Sequence, residues 1–286
     1  DAFGDAYDVP HRYASYAALA NAPDVDVIYI GTPHSLHCEN TIMCLEAGKA
    51  VLCEKPFAIN ASQASDMITL AREKGLFLME AMWSRFLPVF VQVRGLLADG
   101  AIGDLRMLSA DFGFRDEVDP KSRLFDPHLG GGALLDVGIY PVSLASMLLG
   151  PPTRITSMAH LGETSVDEQA AIIFGYGEGQ LAILAAAIRT GTPIEATLLG
   201  TKGRIRIHSP WFRGTALTLS VTDHKDVVMR LPYKGTGHTH EAIEVMHCLH
   251  EGKLESDVMS LDETLSIMET MDTIRTQWGL SYPMEQ

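Results

Sequence analysis

Apolar and polar positions in the first hundred residues follow two alternating patterns. Three short runs, at residues 25–30, 50–53 and 76–81, are almost wholly apolar, and the first has the sequence VDVIYI. Such runs are typical of strands buried on both faces of a parallel sheet. Segments with helical character lie before and between them at 13–21, at 35–48, and from Asn60 or Ser62 to Gly75, and another covers 88–99. The pattern predicts a doubly wound α/β sheet with right-handed helical crossovers.

From residue 105 onward, strand-like runs follow one another with tight turns between several of them, such as GYGEG and GTKG. This spacing is typical of antiparallel pairing. We expect helices at about 131–149, 239–251 and 260–278. The fold prediction is therefore an α/β domain over residues 1–104, followed by an α+β domain with an open, mostly antiparallel sheet over residues 105–286. The predicted strands are 105–114, 153–160, 168–174, 180–188, 194–199, 204–208, 217–222 and 227–231.

Charge and cysteine content narrow the possible partners. The chain has 22 basic and 36 acidic residues, a formal charge of −14, which disfavours nucleic acid and anionic membranes as partners. No apolar run approaches the roughly 20 residues of a membrane span, and the start lacks a signal peptide. The cysteines form no CxxC pair, so we expect reduced thiols in a cytoplasmic protein. They are Cys38, Cys44, Cys53 and Cys248.

The first candidate for chemistry is Glu54-Lys55-Pro56, at the carboxyl end of a predicted parallel strand. Ligands of open α/β sheets bind outside that end of the strands. A lysine there can hold a substrate hydroxyl and lower the pKa of a neighbouring acid. The alternative from the residues alone is a surface lysine beside a strand-ending proline.

The second candidate is the segment GGGALLDVGIY at 130–140. Asp136 and Tyr140 are four positions apart on a predicted helix and therefore share a face. A phenol beside Lys55 can relay a proton in alcohol oxidation, and a nearby cation would bring its pKa, about 10 in isolation, closer to working pH. The alternative is a structural aspartate near a helix start together with a tyrosine of the core.

Two further turns follow predicted strands. In GTPHSLH, at 31–37, the amides that open the next helix can meet a phosphate or ribose, and His34 and His37 are surface or ligand candidates. In the turn at 82–86, Trp83 and Arg85 would suit a nicotinamide and its ribose, or Trp83 fills an interface. The HTHEA segment at 238–242 lacks the HExxH spacing of zinc enzymes, so we predict no metal site.

Taken in order, these phrases resemble the Gfo/Idh/MocA oxidoreductase family over essentially the whole chain. Within it, the chain is most similar to the branch that contains dihydrodiol dehydrogenase and NADP-dependent D-xylose dehydrogenase. EKP alone is a weak signal, whereas EKP followed at this distance by GGGALLDVGIY is a strong one. The matching phrases are VDVIYIGTPHSLH, AGKAVLCEKPFAIN, EAMWSRFLP, IGDLRML, GGGALLDVGIYPVSLA and LDETLSIMETMDTIRTQWGLSYP.

The resemblance implies residue roles. Lys55 would hold the reacting hydroxyl and the nicotinamide ribose of NADP or NAD, Tyr140 would be the general acid and base, and Asp136 would orient the substrate. The first domain would be a dinucleotide-binding Rossmann domain, and the second would bind substrate and form a homodimer or larger oligomer through its sheet. Cofactor contacts are implied for Thr32, Pro33, His37, Glu54, Lys55, Trp83 and Arg85, and substrate contacts for Trp83, Phe112, Arg123 and Asp136.

One feature of the family pattern is missing. No GxGxxG turn follows a strand and opens a helix in this sequence, and the chain begins with Asp1, not Met. We expect that roughly 40 further residues, the size of a strand–helix–strand unit, precede Asp1 in the natural protein. The alternative is a natural remnant whose cofactor site has decayed. The two functional hypotheses are accordingly a NAD(P)-dependent dehydrogenase of sugars or diols, and a non-catalytic carbohydrate-binding or regulatory relative.

Overall fold

The computed structural model describes residues 2–285, and the first part of the chain folds around three parallel strands. Strand β2 lies between β1 and β3, and both pairings are parallel. The predicted doubly wound sheet is thereby confirmed. The strands are β1 (Val27–Ile30), β2 (Ala50–Glu54) and β3 (Leu78–Ala81), and the helices of this region are α1 (Ala2–Ala6), α2 (Tyr16–Ala20), α3 (His37–Glu46), α4 (Ala61–Lys74) and α5 (Pro88–Ala98).

Local sequence sets the ends of α4. The side chain of Asn60 accepts a hydrogen bond from the backbone N–H of Gln63, which satisfies one of the free amides at the helix start. Gly75 ends the helix with φ +62°, a conformation that glycine adopts without strain. Of the two predicted caps, Asn60 is the one that the fold uses, and Ser62 lies inside the helix.

The second part of the chain forms an eight-stranded sheet in the order β11-β10-β9-β8-β4-β7-β6-β5. All neighbours are antiparallel except β4 and β7, which run parallel. The predicted mostly antiparallel sheet is confirmed. Its strands are β4 (Leu105–Gly113), β5 (Arg154–Leu161), β6 (Asp167–Gly175), β7 (Leu181–Ala187), β8 (Ala196–Gly200), β9 (Gly203–Ile207), β10 (Ala216–Val221) and β11 (Val227–Arg230).

The segment predicted as one helix over 131–149 differs from that expectation. A wide π-helical turn covers Leu134–Gly138, and the α-helix α6 begins only at Ile139 and ends at Leu149. The carboxylate of Asp167 on β6 accepts the N–H of Leu134, the first residue of this turn, at 2.7 Å. Single π turns inside helices are frequent at functional sites.

The C-terminal helices are α7 (Thr239–His250) and α8 (Leu261–Trp278), and α8 contacts β3 of the parallel sheet and β5 of the other sheet. On α8, Leu261 and Met268 pack into the core of the parallel sheet, whereas Met271 and Ile274 pack into the other core. The division of the chain at 104/105 stays a prediction, and the two cores share this helix.

One helical stretch, Pro127–Leu149, has the length and mean hydropathy of a membrane span. This differs from the expectation that no segment approaches one. However, 78% of its most apolar window is buried inside the protein. That degree of burial is what a core helix of a folded domain shows.

Candidate active site

Lys55 extends from the carboxyl end of β2 to the turn that carries Asp136. Its Nζ donates to the backbone oxygen of Asp136 at 2.6 Å and to Oδ1 of the same residue at 3.2 Å. The ammonium also lies 5.0 Å from the centroid of the Tyr140 ring. Lys55, Asp136 and Tyr140 therefore lie close together, as expected from the sequence, and their catalytic roles stay a proposal.

Asp136 is held between two cations. Arg123 Nη1 lies 2.8 Å from Oδ1 and Nη2 lies 3.4 Å from Oδ2, so the guanidinium meets both oxygens while Lys55 binds from the other side. Burial alone would raise the pKa of Asp136, but the charges of Lys55 and Arg123 outweigh it and hold that pKa well below its ordinary value. Asp136 is therefore a carboxylate at neutral pH.

The same neighbours keep Lys55 charged. Burial would lower the pKa of Lys55, but the negative charges of Tyr140, Asp136 and Glu54 in their ionised forms raise it above its ordinary value. A buried ammonium that keeps its charge at neutral pH is a steady hydrogen-bond donor. It can hold an oxygen atom of a ligand throughout a proton transfer.

The hydroxyl of Tyr140 accepts a hydrogen bond from Nε1 of Trp83 at 2.9 Å. Its own hydrogen can therefore be donated elsewhere. Burial raises the pKa of Tyr140, and the opposing effects of Lys55 and the Trp83 hydrogen bond do not outweigh it. The expected pKa lowering by Lys55 is thus present as a contribution, but the net direction is upward because the ring is almost wholly buried.

A crevice of about 330 Å³ opens at the carboxyl ends of β1 and β2, beside these residues. The predicted substrate contacts Arg123 and Asp136 line this crevice. It is also lined by Lys55 and four other predicted cofactor contacts, namely Thr32, Pro33, His37 and Glu54. Glu54 at its wall accepts hydrogen bonds from the phenol of Tyr29 and, at 3.1 Å, from the backbone N–H of Lys55. The lining residues are Gly31, Thr32, Pro33, His34, His37, Glu54, Lys55, Arg123, Leu129 and Asp136.

His34 and His37, in the segment after β1, connect the backbone segments that form the crevice walls. The ring nitrogens of His37 face the carbonyl oxygens of Pro56 at 2.8 Å and Thr32 at 2.9 Å, so this ring joins the turns after β1 and β2. His34 Nδ1 lies 3.0 Å from the carbonyl oxygen of Gly130. Burial, helped by the charge of Lys55, lowers the pKa of His34 to about 3, so this ring stays neutral.

Aromatic rings form the wall on the Tyr140 side. Phe112 stacks on Phe212 with centroids 4.2 Å apart, and both rings are tilted against Tyr140 at 5.3 and 5.5 Å. Trp83 stacks on His238 at 4.4 Å. Phe212 was missed by the sequence analysis, because it lies in a short turn with no motif of its own and reaches the site only through the second sheet.

Arg85 is placed differently from the prediction. Its guanidinium is buried and donates to Oγ and the carbonyl oxygen of Ser143, to the carbonyl oxygen of Val258 and to the carboxylate of Glu263. It does not line the crevice formed by the described residues. Its donors are directed at the protein interior and connect α6 to α8, so they do not support the cofactor contact of Arg85, which stays a prediction.

Comparison with protein families agrees with this arrangement. The family described as "Oxidoreductase family, NAD-binding Rossmann fold" matches residues 1–82, and "GFO/IDH/MocA C-terminal domain" matches residues 90–206. The chain belongs to the Gfo/Idh/MocA family. The resemblance inferred from the sequence motifs is confirmed, including the similarity to dihydrodiol dehydrogenases described next.

Relatives within this family are named as enzymes. A trans-1,2-dihydrobenzene-1,2-diol dehydrogenase of Xenopus tropicalis is 39% identical over 98% of this chain and 87% of its own length, and that of Homo sapiens is 36% identical over 99% and 86%. Among solved structures, the aldose-aldose oxidoreductase of Caulobacter crescentus with glycerol superimposes with a TM-score of 0.87 at 25% identity, covering 98% of this chain and 86% of its own. A 3-ketoreductase from Actinomadura kijaniata, in complex with NADP and TDP-benzene, gives 0.86 at 25% identity over 96% and 85%.

Proposed function

We propose that this protein is a NAD(P)-dependent dehydrogenase that transfers a hydride between the nicotinamide and a CH–OH group of a trans-dihydrodiol or sugar. The observation that carries the proposal is the convergence of Lys55, Asp136 and Tyr140 at the carboxyl ends of the parallel strands. The membership of an oxidoreductase family and the names of its relatives support it.

The crevice fits the nicotinamide end of the cofactor. It lies outside the carboxyl ends of β1 and β2, where open α/β sheets bind dinucleotides. Lys55 offers a charged donor to a ribose or substrate oxygen, and Thr32 and Glu54 offer polar atoms on the opposite wall. The cofactor, when bound, accepts or returns the hydride.

Proton transfer is assigned to this chain's own residues. As the hydride leaves the carbinol carbon, the hydroxyl proton of the substrate passes to Oη of Tyr140, which must have released its own proton. The N–H of Trp83 and the ammonium of Lys55 both stabilise the negative charge of that phenolate. Asp136 stabilises the ammonium of Lys55, and the reverse reaction uses Tyr140 as the acid.

The aromatic wall favours a ring-shaped substrate. Phe112, Phe212 and Trp83 surround the phenol of Tyr140, and apolar ring faces stack well on such side chains. The dihydrodiol dehydrogenases among the relatives act, by name, on a substrate of this shape. Within the proposed class, we therefore place a trans-dihydrodiol before a sugar.

Replacing the phenol by a phenyl ring tests this function. Tyr140→Phe removes the proton acceptor and leaves the stacking intact, so we expect kcat for a trans-dihydrodiol to fall by about 10²–10⁴-fold. Rates are followed as NADPH formation, and cofactor affinity by fluorescence titration should stay within a small factor of that of the unmodified protein. The non-catalytic hypothesis gains support if the full-length protein neither binds NADPH nor turns over any diol or aldose.

We further propose that the protein is a cytoplasmic homo-oligomer. All four cysteines are free thiols, which suits a reducing compartment. The outward face of β5, β6 and β7 exposes apolar side chains, and a second copy of the same face could cover them. These residues include Met158, Ile173, Leu181 and Ile183.

A further inference from the structure

Three side chains of metal-ligand type meet beside the crevice, from segments far apart in sequence. Glu54 lies at the end of β2, whereas His238 and Glu241 lie at the start of α7. One carboxylate oxygen of each glutamate and one ring nitrogen of His238 all lie within 4.8 Å of one another. Carboxylate oxygen and imidazole nitrogen are the ligands with which proteins bind Zn²⁺, Mn²⁺ and Fe²⁺.

Glu241 supplies the second, independent observation. Only 2% of its surface is exposed, and its Oε2 has no hydrogen-bond partner among the residues that the structure describes. A buried carboxylate without a partner is costly unless a positive charge compensates it. Lys55, which follows Glu54 in the chain, is engaged with Asp136, and Glu54 is a second acidic group beside Glu241.

The surrounding contacts hold these side chains in place. Nδ1 of His238 lies 3.1 Å from Oγ1 of Thr236, which leaves Nε2 as the nitrogen available to an ion. The imidazole also stacks on the ring of Trp83. Glu54 is oriented by the phenol of Tyr29 and the N–H of Lys55. Such outer contacts commonly orient metal ligands in proteins.

We propose that Glu54, His238 and Glu241 form a binding site for one divalent transition-metal ion. The ligand atoms lie within 4.8 Å of one another, and two ligands at about 2.0–2.2 Å from one ion lie at most about 4.4 Å apart, so side-chain shifts of a few tenths of an ångström suffice to bring all three onto one ion. Three protein ligands leave positions open for water or a ligand hydroxyl. The site lies next to the proposed reaction centre and is linked to it by Trp83, which contacts both His238 and Tyr140. It does not depend on the proposed dehydrogenase activity.

The spacing of HTHEA, taken alone, predicted no metal site. The proposed site replaces that expectation. The third ligand, Glu54, comes from the other end of the chain, and only the packing of α7 beside β2 brings it to His238 and Glu241.

Mn²⁺ is the probe for this site, because free aqueous Mn²⁺ gives a strong electron paramagnetic resonance signal that is lost when the ion binds to a protein. When Mn²⁺ is added to the purified, metal-stripped protein, we expect one ion to bind per chain. Added Zn²⁺ should displace it. Glu241→Gln keeps the side-chain size and removes the charge, so the dissociation constant should rise by more than about tenfold. His240→Ala is the matched control, since His240 lies two positions away but outside the cluster, and it should bind as the unmodified protein does.

Thermal unfolding separates a lost ligand from a lost fold. The unmodified protein should gain thermal stability on adding Mn²⁺, as any ligand of the folded state produces, whereas folded Glu241→Gln should not. The proposal is overturned if the metal-stripped protein takes up no Mn²⁺, or if Glu241→Gln binds it unchanged. A more stable Glu241→Gln together with no Mn²⁺ uptake would identify Glu241 as a neutral buried acid instead.

Discussion

At the scale of single residues, charge compensation decides the chemistry of the site. Lys55 and Asp136 are both buried, and each keeps its charge because the other is present. Arg123 also contributes to the low pKa of Asp136, but its guanidinium is more than half exposed, so water screens part of its effect. Asp136 is the buried carboxylate in direct contact with the ammonium of Lys55, and the ionised forms of Tyr140 and Glu54 act in the same direction.

Removing the negative charge of Asp136 should change the ionisation of Lys55. In Asp136→Asn, burial acts on Lys55 with less compensation, so the pKa of Lys55 should fall. We expect kcat/KM to drop by about 100-fold, with the remaining activity lost further as pH rises and Lys55 loses its proton. Initial rates from pH 6 to 10 measure this. Arg123→Gln is the control, with an expected loss below about tenfold; an Asp136→Asn profile identical to the unmodified one would contradict the coupling.

The sequence predicts some of these residues and not others for a physical reason. Lys55, Asp136 and Tyr140 belong to compact phrases, EKP and GGGALLDVGIY, which are recognisable in the sequence alone. Phe212 and Glu241 carry no local signal, because their neighbours in space come from distant strands. Arg85 has the residue type expected of a ligand contact, but the buried oxygens of Ser143 and Val258 take its donors.

At the scale of elements, the π-helical turn Leu134–Gly138 positions Asp136. Its start is fixed by Asp167, which is fully buried and accepts the N–H of Leu134. Gly132 has φ +116°, and a Cβ there would lie 2.2 Å from Oδ1 of Asp167. Periodicity predicted a regular helix at this place, since the sequence pattern of the segment contains no information about a carboxylate on β6.

Asp167 should make stability depend on pH near neutrality. Burial raises its pKa to about 7, above the ordinary value of 3.8. The folded state therefore holds this proton more tightly than the unfolded state, and the resulting stability is lost as pH rises through about 7. Between pH 5.5 and 8.5, the unmodified protein should lose about 2 kcal/mol more of its free energy of unfolding than Asp167→Asn does.

Urea denaturation of both proteins at the two pH values measures this difference. Asn can still accept the N–H of Leu134, so the variant isolates the ionisation from the hydrogen bond. The same comparison cancels the other buried acids, such as Glu80, whose pKa is raised to about 7 by burial. Parallel pH dependences in the two proteins would show that Asp167 does not ionise in this range.

At the scale of the whole molecule, the two sheets have different surroundings. The eight-stranded sheet is covered on one side by α6 and α8, and on its other side Ile173 of β6 lies directly opposite Ile183 of β7, both exposed. Strand β1 has β2 on one side, and the ring of Tyr29 is half exposed. Tight turns between successive strand-like runs allowed the class of the second sheet to be predicted, whereas the strand order required the tertiary contacts.

A charged side chain on the exposed face of β5, β6 and β7 should dissociate the proposed homo-oligomer. Ile173→Glu places a carboxylate where an apolar self-complementary interface would bury it, so the measured mass in light scattering should fall to that of one chain, 31.2 kDa by composition. Val228→Glu, equally exposed but on β11 at the far edge of the sheet, serves as the control and should keep the oligomer. If the unmodified protein is itself a monomer, the proposed homo-oligomer is contradicted.

The central claim is that a hydride leaves a carbinol carbon beside Lys55, Asp136 and Tyr140 and reaches a nicotinamide. It is tested most directly by supplying a trans-dihydrodiol deuterated at its carbinol carbons, together with NADP⁺, to the full-length protein. Mass spectrometry of the reduced cofactor should find one deuterium per nicotinamide, and Tyr140→Phe should form almost none of this product. Reduced cofactor without deuterium, or equal formation by Tyr140→Phe, would contradict the account.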